Sequence, residues 1–207
     1  MVVFPLESGR MIILASASPR RQELLRNAGI RFAVKLADID EVALAGESPR
    51  ECAERLAREK ALAIFRSDPQ SYVLGADTIV VVDEAMLGKP RDAEDAARML
   101  RLLSGRTHAV ITGVCLVGPV ASGQWSVASK TENPRSVSES TLVTMCALSE
   151  DEIRDYVATG EPMDKAGAYA IQGIASRWIP RIEGDYSNVV GLPVARVYAM
   201  LRERGVV

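Results

Sequence analysis

Apolar positions along this chain alternate between short continuous runs and stretches with a helical period. Residues 11–15, Met-Ile-Ile-Leu-Ala, form a run of strand length that gives way at Ser16-Ala17-Ser18-Pro19-Arg20-Arg21 to the helix-like segment 22–27. Ser18 suits a helix N-cap and Pro19 the first helical position, so the segment predicts strand, tight turn and helix, with Gly29 as the stop. A second strand is expected near residues 31–36. Ser48-Pro49 opens a long helix to about residue 65, with Ala53, Leu56, Ala57, Ala61 and Ile64 in its apolar stripe. Residues 72–82 predict a strongly apolar strand, Asp83-Glu84 a turn, residues 86–90 a return, and residues 92–103 a helix closed by Gly105. A strand over 107–117 follows. The Gly-, Ser-, Pro- and Asn-containing stretch 118–139 predicts an exposed loop or long hairpin tip. Beyond it the pattern predicts a strand over 141–148 and a helix to Thr159 opened by the capping box Ser149-Glu150-Asp151-Glu152. A polar loop over 161–173, short strands at 178–182 and 189–190, and a last helix from Pro193 complete the pattern.

Strands alternating with helices predict an α/β fold, and the hairpin-like neighbours predict a mixed sheet. Neither GxxxxGK[ST] nor GxGxxG occurs, which removes the phosphate-loop and dinucleotide-binding readings. Residues 1–10 read as an N-terminal extension and residues 11–207 as a single domain. At 207 residues roughly 70% of the unfolded surface can be buried, without staples. A net charge of −2 provides no global basic field, which argues against a nucleic-acid or membrane-surface binder. No apolar run approaches the ~18 residues of a membrane span. Cys52, Cys115 and Cys146 show no paired spacing, so neither a disulfide framework nor a zinc site is indicated, and a reducing cytoplasm is expected. His108, the single histidine, reads as structural.

Several polar residues stand where packing alone would not put them. Ser16, Ser18, Arg20 and Arg21 surround a helix N-terminus, whose first amides lack internal partners. They suit either a phosphate or a well-capped helix with solvated arginines. Asp77 lies inside the apolar strand, where a carboxylate is costly unless paired, hydrogen-bonded or metal-bound. It reads as a metal ligand or general base, or as a structural Asp satisfied by an arginine or by backbone amides. Lys60 sits on the apolar stripe of its helix, either snorkelling or bordering an anion cleft. Lys89, between Gly88 and Pro90, and Lys165, after Asp164, would join the arginines in a cationic cleft suited to a polyphosphate. Asp40-Glu41 reads as an exposed acidic loop or a source of a magnesium ligand. Gln172 carries an amide that donates and accepts at once, as a base edge requires.

Six ordered segments resemble the Maf family: Ser16–Arg21, Gly75–Thr78, Leu87–Pro90, Ser104–His108, Asp164–Tyr169 and Asn188–Pro193. They span residues 11 to about 204. The resemblance implies an elongated mixed sheet with flanking helices and two lobes around a cleft, as in the inosine triphosphate pyrophosphatases, usually as a homodimer. It implies a nucleoside triphosphate pyrophosphatase dependent on a divalent cation, Mg²⁺ or alternatively Mn²⁺. Asp77 would accept the proton and share the metal with Glu41. Ser16, Arg21, Lys60 and Lys89 would hold the phosphates, joined by Ser18 and Lys165 on the reading of the residues themselves. Arg20, Thr78 and Gln172 match the branch acting on dTTP and UTP rather than the one acting on 7-methyl-GTP. The alternative is a non-enzymatic regulator of septum formation that binds nucleotide or protein. Ala170, where Gly is more usual, and the long 118–139 stretch depart from the family pattern.

Overall fold

The computed structural model describes residues 10–119 and 134–207; the first nine residues and most of the expected 118–139 loop lie outside it. Its framework is a seven-stranded mixed sheet. Strands β1 (Ile12–Leu14), β2 (Phe32–Val34), β3 (Val73–Val82), β5 (Thr107–Val117), β6 (Arg135–Thr144) and β7 (Arg181–Glu183) run in the order β2-β1-β3-β5-β6-β7. The short β4 (Ala85–Leu87) pairs with β3 off that path. Pairing of β1 with β2 and with β3 is parallel; every other pairing is antiparallel.

The long helix α2 (Pro49–Ser67) covers one face. Its capping box, Ser48 with Glu51, fixes the start, and the predicted stripe is fully buried. Against it pack Val73, Ile79, Cys115 and Val117. The approach is unusually close because the facing sheet positions are glycines. A Cβ on Gly75 would overlap the Ala57 carbonyl oxygen, and one on Gly113 would overlap that of Ala53. On the opposite face two apolar clusters form side by side. One joins Ile12, Leu14, Leu74, Ala76 and Val114 to α1 (Pro19–Asn27) and α6 (Val194–Glu203). The other joins Val80, Val82 and Val110 to α3 (Ala93–Leu103) and α4 (Glu150–Ala158). Between them Thr78 and Thr112, directly opposite in register, interrupt the apolar rows.

Four expectations are corrected. Residues 189–190 belong to a helix, α5 (Tyr186–Val190): Asp185 caps it by accepting from Ser187 N, and Gly191 at φ 124° ends it. Local capping there outweighs the strand preference of two valines. Residues 178–182 split between a 3₁₀ turn, Ile174–Trp178, and β7. Strand β6 begins at Arg135 rather than at Thr141 and ends at Thr144. Its polar start is accommodated by α2, where Arg50 donates to Ser138 and Ser138 to Glu54. The segment 161–173 contains 3₁₀ turns at Glu161–Asp164 and Ala166–Ala168, and residues 168–171 are buried rather than polar loop. No helix among the described residues is long and apolar enough to cross a membrane.

His108 lies in the second cluster, 2% exposed, with Nε2 2.7 Å from the Tyr169 hydroxyl and no partner for Nδ1 among the described residues. Burial lowers its pKa from 6.5 to about 4. The unfolded chain takes up a proton first as pH falls, so the stability due to the neutral ring is complete above pH 6.5 and lost towards pH 4, by about 3 kcal/mol. Urea unfolding at both pH values should show the gap between wild type and His108→Gln shrinking by that amount. At Gly75, alanine should destabilise by about 1–3 kcal/mol despite its lower conformational entropy, because the new methyl meets helix backbone that cannot rotate away. Urea unfolding of Gly75→Ala measures this; an unchanged midpoint would mean that the helix moves freely on the sheet.

Candidate active site

Strand β3 is flanked on one edge by β1 at Val73 and Leu74 and by β4 at Val80 to Val82. Over residues 75–79 no described strand pairs with that edge, and a cleft of about 970 Å³ opens there. Ligand sites in α/β sheets occupy such breaks, where neighbouring strands diverge and loops from both sides converge. All eleven candidate residues line this cleft: Ser16, Ser18, Arg20, Arg21, Glu41, Lys60, Asp77, Thr78, Lys89, Lys165 and Gln172.

The β1–α1 turn is locked from within. Ser16 Oγ accepts from Ser18 N at 3.2 Å, and Ser18 Oγ caps the helix by accepting from Arg21 N at 3.4 Å. Arg21 then points inward. Its Nε donates to the Gly191 carbonyl at 2.7 Å, Nη1 to Ser16 Oγ at 3.1 Å and Nη2 to Thr78 Oγ1 at 3.0 Å. A guanidinium has five N–H donors, so this arrangement leaves two uncommitted. Burial lowers the Arg21 pKa, offset in part by Asp77. Thr78 contacts Thr112 at 3.0 Å, and Thr112 donates to the Asn188 carbonyl at 3.1 Å. Asn188, wholly buried, donates to Val110 O and to Thr141 Oγ1, both at 3.0 Å. One polar row therefore ties α1, the sheet and α5 together across the divide between the two clusters.

Asp77 is paired, but with neither of the partners the sequence suggested. Its Oδ1 lies 2.6 Å from Lys60 Nζ, delivered by α2 across the glycine contact. Both side chains are about nine-tenths buried, so Lys60 does not snorkel. The same ammonium meets Glu41 at 2.8 Å, and Lys89 approaches Glu41 at 3.7 Å. Burial raises the Glu41 pKa, but Lys60 above all, with Lys89 and Arg21, outweighs it and holds the carboxyl below its ordinary value. The segment bearing Glu41 is held to α2 by Arg55, which donates to Val42 O at 2.9 Å and to Glu47 at 2.7 Å.

Arg20 grips Asp164 twice, at 2.7 Å to its carboxylate and at 3.0 Å to its carbonyl, and Lys165 pairs with the same carboxylate. Partial burial raises the Asp164 pKa, but Lys165 and Arg20 outweigh it and bring it down to about 2. Gln172 stands exposed at the far rim, and Ala170, whose φ is not positive, needs no glycine there. His108 faces Tyr169 in the core, consistent with a structural role.

Two carboxylates already share one cation in this cleft, and no group of three His, Cys, Asp or Glu side chains surrounds a point among the described residues. That donor set fits Mg²⁺, which takes one or two carboxylates and completes its shell with phosphate oxygens and water. Sequence reasoning gave no role to Asp164, Thr112, Asn188 or the Gly191 carbonyl. A polar Asn before two valines was the signal for one; a backbone acceptor leaves none.

Residues 11–204 match the family described as Maf-like protein. The chain is 56% identical over 199 residues to the dTTP/UTP pyrophosphatase of Koribacter versatilis, covering 96% of each chain. It is 50% identical over 196 residues to the dTTP/UTP pyrophosphatase of Symbiobacterium thermophilum, covering 95% of each. Among solved structures it is similar to a nucleoside-triphosphatase / dITP/XTP pyrophosphatase of Mycobacterium abscessus, at 17% identity and a TM-score of 0.43, covering 94% of this chain and 96% of that one. Family match and relatives both run through every segment that lines the cleft, and the chain belongs to the Maf family.

Proposed function

We infer that this chain is a nucleoside triphosphate pyrophosphatase that hydrolyses dTTP and UTP to the monophosphate and pyrophosphate. One observation carries the reading: a buried Asp77–Lys60 pair stands in the same cleft as Arg20, Arg21, Lys89 and Lys165. The 56% and 50% identical relatives named dTTP/UTP pyrophosphatases support the substrate class. Assembly as a homodimer belongs to the same proposal and rests on the family resemblance; a cytoplasmic location belongs to it too and rests on the unpaired cysteine spacing.

In this reading the triphosphate lies along the cationic wall. Ser16, Ser18 and the Arg20 amide hold phosphate oxygens, and the uncommitted N–H groups of Arg21, with Lys89 and Lys165, neutralise the charge that builds up on the leaving pyrophosphate. Asp77 takes a proton from the water that attacks the α-phosphorus, as the bond from that phosphorus to the bridging oxygen breaks. Lys60 fixes the direction of the Asp77 carboxylate and offsets its charge. Glu41 and Asp77 are the residues that would hold Mg²⁺ or Mn²⁺, which when bound supplies further positive charge to the phosphate oxygens. Thymine and uracil present an N–H between two carbonyls, and the Gln172 amide matches an adjacent donor and acceptor of that edge.

Pyrophosphate release from a panel of nucleoside triphosphates with magnesium tests the assignment and separates it from a nucleotide-binding regulator, which would release none. Asp77→Asn should lower kcat by roughly 10²–10⁴-fold, the usual contribution of a general base, while the chain still folds, with Lys60 keeping Glu41 as its charged partner. Near-normal turnover in that variant would remove Asp77 from the chemistry. Wild type should prefer dTTP and UTP to GTP and 7-methyl-GTP by roughly 5- to 150-fold, the range set by ~1–3 kcal/mol for an unsatisfied buried polar group. Gln172→Glu should erode that preference in a competition assay. Fastest turnover of 7-methyl-GTP by wild type would reverse the base assignment and leave the pyrophosphatase reading intact.

A further inference from the structure

Gln172 sits at the corner of a tight turn, closed by a hydrogen bond from Gly173 N to the Ala170 carbonyl at 3.0 Å. The turn is held from behind by one carboxylate. Glu161 Oε1 accepts from the Tyr156 hydroxyl at 2.8 Å and from Ile174 N at 3.0 Å. The same Tyr156 hydroxyl accepts from Ala170 N at 3.2 Å. Glu161 thus reaches both ends of the turn, one directly and one through Tyr156. The ring of Tyr156 is 1% exposed and lies edge-on to Trp178, with centroids 5.3 Å apart, so the relay stands on a rigid support. A third tie, from Tyr169 to His108, anchors the residue just before the turn.

We propose that Glu161 is a positioning residue for base discrimination, acting through Tyr156 and the Ile174 amide to hold Gln172 at the rim of the cleft. The proposal rests on the reading of Gln172 as the group that meets the base. A side-chain amide distinguishes two base edges only if its donor and acceptor are aimed, and aim in an exposed residue must come from its backbone. Here the backbone amides two residues before and two residues after Gln172 are tied, directly or through Tyr156, to the same carboxylate oxygen. Glu161 also begins the 3₁₀ turn that ends at Asp164, the partner of both Arg20 and Lys165, so the base side and the phosphate side of the cleft share one short segment.

The test is the ratio of kcat/KM for dTTP to that for dCTP, whose base edge exchanges a carbonyl for an amino group. Glu161→Ala and Tyr156→Phe should each lower the ratio about tenfold, the effect of one lost hydrogen bond's worth of aim, with KM for dTTP rising more than kcat falls. Glu161→Gln should retain the wild-type ratio, because its amide oxygen can accept both bonds. In a Gln172→Ala background, Glu161→Ala should add nothing. If Gln172→Ala leaves the ratio unchanged, the base reading falls and this proposal with it. If Gln172→Ala lowers the ratio while Tyr156→Phe and Glu161→Ala do not, or if their losses add to that of Gln172→Ala, the positioning role alone is overturned. Should Glu161→Ala fail to fold, Tyr156→Phe, which keeps the ring against Trp178, decides the matter.

Discussion

The distance between α2 and the sheet governs most of what this structure can do. Helix and sheet meet through Ala53, Ala57 and Ala61 on one side and Gly75 and Gly113 on the other, with no room for another methyl group. Close packing of this kind gives each contact a small dispersion gain and many such contacts a large one. Its chemical consequence is reach. Lys60, one turn along the same stripe, arrives within 2.6 Å of Asp77 in the middle strand. A buried ion pair of that kind contributes little net stability, because desolvation cancels most of the attraction, yet Asp77 without Lys60 would be a buried charge stripped of its ion-pair partner. The pair therefore makes sense as a device for holding a carboxylate at a fixed point.

The opposite face of the sheet is organised by a gap rather than by a contact. Thr78 and Thr112 break two apolar rows at the same level, and the rows on either side feed different clusters. Arg21, Asn188 and the Gly191 carbonyl fill the break with hydrogen bonds, so the boundary is polar and satisfied on nearly every atom. The Asn188 Oδ1 is an exception, buried without a partner among the described residues. The cleft opens beside this boundary, where β3 has lost β1 and not yet met β4.

What could be read from the sequence was local. The β1–turn–α1 unit, the α2 stripe and β5 follow from spacing and capping within a dozen residues, and the structure has them where the pattern predicts. The cleft residues were visible one by one because each broke a pattern: a carboxylate in a strand, a lysine on an apolar stripe, two arginines at a helix start. Their pairing was not visible. Asp77 suggested an arginine and received a lysine from α2; Arg20 finds Asp164 at a separation of 144 residues. Strand β6 was misplaced because its first half owes its order to β5 and to the polar start of α2, neither of which leaves an apolar period in its own sequence. Helix α5 was misread because two adjacent valines outvoted a cap that depends on Asp185 folding back on Ser187.

The two ends of the described chain meet, with Arg10 N donating to Val206 O at 3.0 Å, and Val197, Leu201 and Val206 complete the cluster that covers Ile12, Leu14 and Leu25. The outer face of β1 is thus covered by residues of α6 and beyond it, so this cluster closes only through contacts of very long sequence separation. Ser16 to Arg21 extend from that strand, so their half of the cleft rests on a contact that spans nearly the whole described chain. The other cluster, built around α3, β5 and α4, draws its buried residues from no farther along than Trp178, so the two halves of the cleft lean on cores closed over different spans of sequence.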